Sequence, residues 1–180
     1  MRVLWLFSFF MGTGAIPQAD LESIYAELRR LAAFHLRHRA PQASLQPTAL
    51  VNETWLRLAN QPWKSRSYFM ALASSAMRNV LVDYVRARLA EKRGRDWAHV
   101  SIEARGEPEA ITISLVQVLG VHEALERLSQ LDARKARVVE MRFFGGMEFE
   151  EIAEALDISL ITAKRDWQFS RAWLYDSLNT

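Results

Sequence analysis

Glu148 to Arg171, EFEEIAEALDISLITAKRDWQFSR, is the stretch on which the reading of this chain turns. Phe149, Ile152, Ala153 and Leu156 recur at helical spacing and make one apolar stripe, with Ala153 small where a second helix would cross. The stripe belongs to a short helix from Met147 to Leu156. Ser159 then offers a side-chain oxygen to the unpaired amides that open the next helix. Along that helix Leu160, Ala163, Trp167, Ser170, Leu174 and Leu178 fall on one side, which predicts that Trp167 is core. Thr162 and Arg165 point the other way, flanked by Lys164. A helix held by one face, with polar and cationic groups on the other, can enter a DNA major groove. The pattern predicts a helix-turn-helix. An ordinary helical hairpin closing a bundle has the same periodicity, so both readings stand on this segment alone. Asp157 occupies the turn position where Gly is usual, and Asp accepts left-handed backbone angles better than most residues.

Composition narrows the class. The chain has 180 residues, half of them apolar, enough for one domain or two small ones. Pro and Gly are sparse and few runs alternate with period two, so the fold class is all-α. Cysteine is absent, which removes disulfides, zinc fingers and thiol chemistry and suits a reducing cytoplasm. The net charge of +2 says little about partners, but its distribution says more. Between Arg78 and Arg95 six basic residues (Arg78, Arg86, Arg88, Lys92, Arg93, Arg95) face two acidic ones, Asp83 and Glu91. A basic helix suits contact with a polyanion, and a solvated helix face produces the same run. The stretch around Glu148, Glu150, Glu151 and Glu154 is acidic by contrast. At the start, MRVLWLFSFFM (Met1 to Met11) is too short to span a membrane. It reads as a weak secretory signal, as a first core helix, or as residues from a misassigned start codon. The rest of the chain looks intracellular, and a cytoplasmic protein without membrane partners is expected.

Working outward, Leu21 to Arg39 is amphipathic, with Leu21, Ile24, Tyr25, Leu28, Leu31, Ala32 and His35 on one face. Pro47 starts a second helix that turns Leu50, Val51, Thr54, Trp55 and Leu58 inward and stops near Gln61-Pro62. A long third helix runs from about Tyr68 to Glu91, with Phe69, Ala73, Ala76, Val80 and Tyr84 as its buried stripe. Gly94 to Ile113 keeps no period and reads as a linker. Leu115 to Leu128, Ala133 to Phe144, Met147 to Leu156 and Leu160 to Leu178 complete a four-helix unit, with Gly145-Gly146 breaking its second helix from its third. Two small helical domains are expected, at 1–93 and 115–180, joined by a flexible linker at 94–114.

Three segments arrive in an order that belongs to a known family: LQPTALVNETWLRL (Leu45 to Leu58), FMALASSAMRNVLVDYVRAR (Phe69 to Arg88) and VVEMRFFGGMEFEEIAEALDISLITAKRDWQFSRAWL (Val138 to Leu174). Together they resemble the extracytoplasmic-function (ECF) sigma factors of the bacterial sigma-70 family, over about Leu21 to Leu178. The first segment is similar to the helix that binds core RNA polymerase. Leu50, Glu53 and Trp55 match its pattern, while Ala49 replaces Asp and Asn52 replaces Gln. The second is similar to the helix that reads and melts the minus-10 element. Phe69, Asn79, Asp83 and Arg86 keep its spacing, and Leu72 replaces its Trp. The third resembles the minus-35-binding domain, especially a subgroup carrying RFFGG and KRDW.

The resemblance implies a transcription initiation factor that brings core RNA polymerase to a promoter and helps to separate the strands, with no bond chemistry or cofactor of its own. Polymerase binding falls to Leu50, Asn52, Glu53, Trp55 and Arg57. Strand opening needs cations for the backbone and planar groups for extruded bases, and stacking one base on an aromatic contributes roughly 1–3 kcal/mol. Trp63 and Tyr68 fit that task, with Lys64, Arg66, Arg78 and Arg86 near them. Phe69 fits the core stripe better than a base contact. Asn79 has donors and an acceptor off the stripe, and a capping or solvated role suits it equally. On the last helix Ser159, Ile161, Thr162, Lys164 and Arg165 are the minus-35 candidates, with Ile161 able to touch a thymine methyl. Arg171 fits a backbone contact or a solvent-facing charge. Partners are then core RNA polymerase and promoter DNA, and an anti-sigma protein commonly holds such factors inactive.

Enzyme signatures are lacking. Of the four histidines His35, His38, His99 and His122, the first two are three apart without a further ligand on that face. Gly145-Gly146 lacks the Lys-Ser/Thr of a phosphate loop, and no Ser sits in a nucleophile elbow. The other readings are a helix-turn-helix regulator that binds duplex DNA unaided and a helical bundle that binds only protein.

Overall fold

The computed structural model describes residues 18–36, 45–58, 61–62, 64–93 and 115–179. These residues form helices and no strand: α1 (Gln18–Leu36), α2 (Pro47–Leu58), α3 (Arg66–Arg93), α4 (Leu115–Leu131), α5 (Ala133–Phe143), α6 (Phe149–Leu156) and α7 (Leu160–Asn179). The fold is all-α. No helix among the described residues is long and apolar enough to cross a membrane. Met1 to Met11, Trp63 and the expected linker at 94–114 lie outside the described residues.

Helix boundaries follow from local chemistry. Pro47 begins α2, where a missing N–H costs nothing. Its expected inward face, Leu50, Val51, Thr54, Trp55 and Leu58, is buried throughout, and Thr54 donates its hydroxyl to the Leu50 carbonyl at 2.8 Å. The described helix runs to Leu58, and beyond it the Gln61 amide donates to the Leu58 carbonyl at 2.9 Å. Ser65 caps α3 by accepting from the Tyr68 amide at 3.2 Å, so that helix starts two residues before the expected Tyr68. Asp132 caps α5 by accepting from the Lys135 amide at 3.1 Å.

The sequence predicts one buried stripe on α3, and α3 is buried on more than one side. Phe69, Ala73, Ala76 and Val80 are inside, and so are Met70, Ala71, Met77, Leu81, Val82 and Val85. The reason is topological: α3 is in contact with α1, α2, α4, α5 and α6, so a single stripe cannot meet all of its neighbours. Phe69 lies in the core against Trp55, ring centroids 5.3 Å apart, as its place in the stripe predicts. Burying such a side chain stabilises by roughly 2–3 kcal/mol. The buried apolar side chains form one cluster that runs from Leu21 in α1 to Ala163 in α7.

The corner between α5 and α6 needs both of its glycines. Gly146 sits at φ +60, and any Cβ there would lie 2.7 Å from a Leu31 methyl of α1. At Gly145 a Cβ would lie 2.0 Å from the Ser74 hydroxyl of α3 and 2.7 Å from the Met141 carbonyl. The pair therefore permits the chain to turn and lets α3 approach closely.

Candidate nucleic-acid and polymerase interfaces

The α6–α7 corner is held by local bonds. Glu148 precedes α6 in a reciprocal capping box, its own amide donating to the Glu151 carboxylate at 2.9 Å. Arg142 of α5 reaches the Met147 carbonyl and the Glu148 carboxylate at 2.6 and 2.9 Å. Asp157 ends α6 in the left-handed conformation, φ 52 and ψ 51, and the Ile158 amide returns to the Ala153 carbonyl at 3.0 Å. The turn thus takes the backbone angles that Gly usually supplies. Ser159 accepts from the Thr162 amide at 3.1 Å and lies 2.8 Å from the Thr162 hydroxyl. Its side chain caps α7, as expected.

Around α7 the two faces differ in kind. Ile161 is 71% exposed, and Lys164, Arg165 and Arg171 are exposed with it, while Thr162 is half-buried at the edge. The inward face departs from expectation. Ala163, Asp166 and Ser170 are its buried centre, whereas Trp167 is only half-buried, edge-on to Phe149 at 6.5 Å. Trp167 therefore packs against the core from its margin rather than lying at its centre as the stripe predicts. Seven residues span about 700° of an ideal helix, so Ala163 and Ser170 nearly superpose and the line between them passes through Asp166 as closely as through Trp167. The buried carboxylate takes that place because Arg134 of α5 donates Nε to it at 2.7 Å.

The minus-10 candidates divide into two groups. Lys64 is exposed and sits over the Tyr68 ring at 4.8 Å; Asn79 is exposed. Arg86 is exposed, with its guanidinium 3.5 Å from the His122 ring. Arg66 and Arg78 are tied to other helices. Arg66 bridges Glu27 of α1 and Glu151 of α6, beside a 2.9 Å hydrogen bond from Ser67 to Glu154. Arg78 has a side chain only 15% exposed and pairs with Glu140 of α5 at 2.8 Å and Glu126 of α4 at 3.1 Å. The contact with Glu140 is a close ion pair whose angles miss those of a hydrogen bond. Burial pushes the Glu140 carboxyl above the usual glutamate range, against the opposing pull of Arg78 and a Ser75 hydrogen bond. Burial likewise lowers His122, with the Arg78 charge acting in the same direction.

On α2 the polymerase-binding candidates also separate by face. Leu50 and Trp55 are core residues. Asn52 is half-buried, Glu53 is exposed, and Arg57 is exposed and paired with Asp83 of α3 at 2.7 Å. Leu56 stands among them with half of its surface in solvent, and sequence reading passed it over because its neighbours Trp55 and Leu58 are inward.

The comparison with protein families decides what this arrangement belongs to: the model described as ECF sigma factor matches residues 13–180. The chain belongs to the ECF sigma factor family. No curated protein and no solved structure gave a match. As a member of this family the chain is a sigma factor for transcription initiation, and such factors work with RNA polymerase and promoter DNA. The family is not one of enzymes. In this sigma factor, among the described residues, no group of three or more His, Asp or Glu side chains could hold a metal ion. The residues that sequence reading missed are Asp166, Glu140 and Leu56. Asp166 had a faint signal, its place between Ala163 and Ser170; the other two had none.

Proposed function

We propose that this sigma factor directs core RNA polymerase to promoters by reading a minus-35 element with α7 and a minus-10 element with α3 and the segment before it. The carrying observation is the outward face of α7. Ile161, Lys164 and Arg165 are exposed and Thr162 borders them, while the opposite face is fixed to α5 and α6. In this reading α6 and α7 are a helix-turn-helix, Ser159 fixes the start of the recognition helix, and Arg171 meets the backbone further along. Lys64, Tyr68, Asn79 and Arg86, with Trp63 before them, serve the melted strand. Arg66 and Arg78 join them only by exchanging their carboxylate partners for phosphates. The edge of α2 that carries Asn52, Glu53, Leu56 and Arg57 docks on the polymerase, with Leu50 and Trp55 holding that edge in shape from the core. In this reading the functional units are 1–93, a linker at 94–114, and 115–180.

The test is promoter binding by Arg165→Ala in complex with core polymerase, over a series of minus-35 substitutions. A bidentate contact to guanine predicts a loss of roughly 1–3 kcal/mol with relaxed preference at one position. A phosphate contact predicts equal weakening on all promoters and a salt slope lower by about one. Unchanged binding and preference would remove α7 from the DNA. Binding to duplex DNA equally well without polymerase would favour an independent regulator instead.

A further inference from the structure

Resting on that reading of α7, we propose that Asp166 is a positioning residue that holds Arg134 and Lys135 of α5 beside the recognition face, so that DNA phosphates are gripped from two helices. Asp166 is on the recognition helix and only 5% exposed. Arg134 approaches it side-on, Nε to Oδ2 at 2.7 Å and Nη2 to Oδ1 at 3.4 Å. That geometry spends one edge of the guanidinium and leaves the Nη1 edge for a second acceptor. The Arg134 side chain is about half exposed, and burial of the partner rather than of the arginine fixes the pair.

Lys135 is placed by the same cluster. Its ammonium is 3.9 Å from Asp166, bonds the Asp132 carboxylate, and rests 5.1 Å from the centre of the Phe169 ring. Ser170, one turn beyond Asp166, donates to the Asp166 carbonyl at 2.7 Å and approaches the Lys135 carbonyl at 3.5 Å. The start of α5 is thus registered to α7 by side chain and backbone together. Arg134, Lys135, Thr162, Arg165 and Gln168 line one groove, whose cations stand outward of the buried carboxylate. A polyanion entering it meets Arg165 on one wall and Arg134 with Lys135 on the other.

Two physical roles for Asp166 predict opposite signs. A carboxylate that only fills space near DNA repels phosphates, so its neutralisation tightens binding. A carboxylate that aims two cations weakens binding when neutralised. The experiment uses the full chain with core RNA polymerase and a labelled promoter duplex, selected from a randomised pool by the wild type, titrated over a series of salt concentrations beside thermal melts. Arg134→Ala should lower affinity about tenfold and the salt slope by about one. Asp166→Asn should weaken binding in the same direction, with the double variant no worse than the weaker single. Arg134→Lys keeps the charge and loses the fork, and should also bind more weakly than wild type. It decides the matter even if Asp166→Asn melts early. Tighter or unchanged binding by Asp166→Asn, wild-type binding by Arg134→Lys, or an unchanged slope for Arg134→Ala overturns the proposal. Arg165→Ala is the control. If it weakens binding while the Arg134 variants do not, only this inference falls; if it too is without effect, the assignment of α7 to DNA falls with it.

Discussion

Arg78→Ala separates a structural role from a nucleic-acid role for the most enclosed of the described cations of α3. The substitution leaves Glu140, whose side chain is 11% exposed, without its nearest cation. Coulomb attraction at 2.8 Å with an effective dielectric of 20 is about 6 kcal/mol gross, but desolvation of both ions offsets most of it. The upward displacement of the Glu140 pKa shows that burial already outweighs the favourable contacts. The loss also has a ceiling. An uncompensated Glu140 can take up a proton, and from an ordinary pKa of about 4.3 that costs about 3–4 kcal/mol at pH 7. We therefore expect Arg78→Ala to lose about 2–3 kcal/mol of stability at pH 7. The pH dependence has a definite sign. A carboxyl whose pKa is raised on folding holds more protons in the native state, so stability falls as pH rises from the unfolded pKa through the folded one. The variant should recover toward wild type as pH falls from 7 to about 5, and adding Glu140→Gln should restore most of the loss at pH 7. Urea melts at a series of pH values measure all three quantities. A loss below about 0.5 kcal/mol, or no rescue by Glu140→Gln, would refute the ion-pair account. If stability then stays intact while open-complex yield drops, Arg78 belongs to the promoter.

Asp157→Gly removes a side chain from left-handed backbone, φ 52, and should raise stability by up to about 1 kcal/mol in a denaturant melt, with promoter preference unchanged. Gly145→Ala places a methyl 2.0 Å from the Ser74 hydroxyl and 2.7 Å from a backbone carbonyl, so a loss of about 1–3 kcal/mol is expected; an unaltered melting temperature would mean that α3 does not pass so close to the corner. Leu56→Asp with Glu53→Arg changes only exposed positions of α2, and polymerase co-purification should fall while the melt stays within about 0.5 kcal/mol of wild type.

Sequence alone determined what depends on neighbours within a turn or two. Helical periodicity gave the all-α class, the full inward face of α2 and the cationic outer face of α7. Cap chemistry gave Ser159 and the turn at Asp157, because a hydroxyl three residues before an amide and a side chain that tolerates positive φ are local facts. The three ordered segments gave the family.

Tertiary structure decided which charges stay in water. Arg66 and Arg86 look alike in the sequence, yet Arg66 is bound to carboxylates 39 and 85 residues away while Arg86 is exposed. Trp167 and Asp166 are adjacent on one helix, and hydrophobicity favours the tryptophan for the core. The aspartate is the more buried because α5, starting 33 residues earlier at Ala133, brings Arg134 against it. A carboxylate enters an interior only where a cation meets it, and the meeting point is set by how the helices cross rather than by anything within either helix.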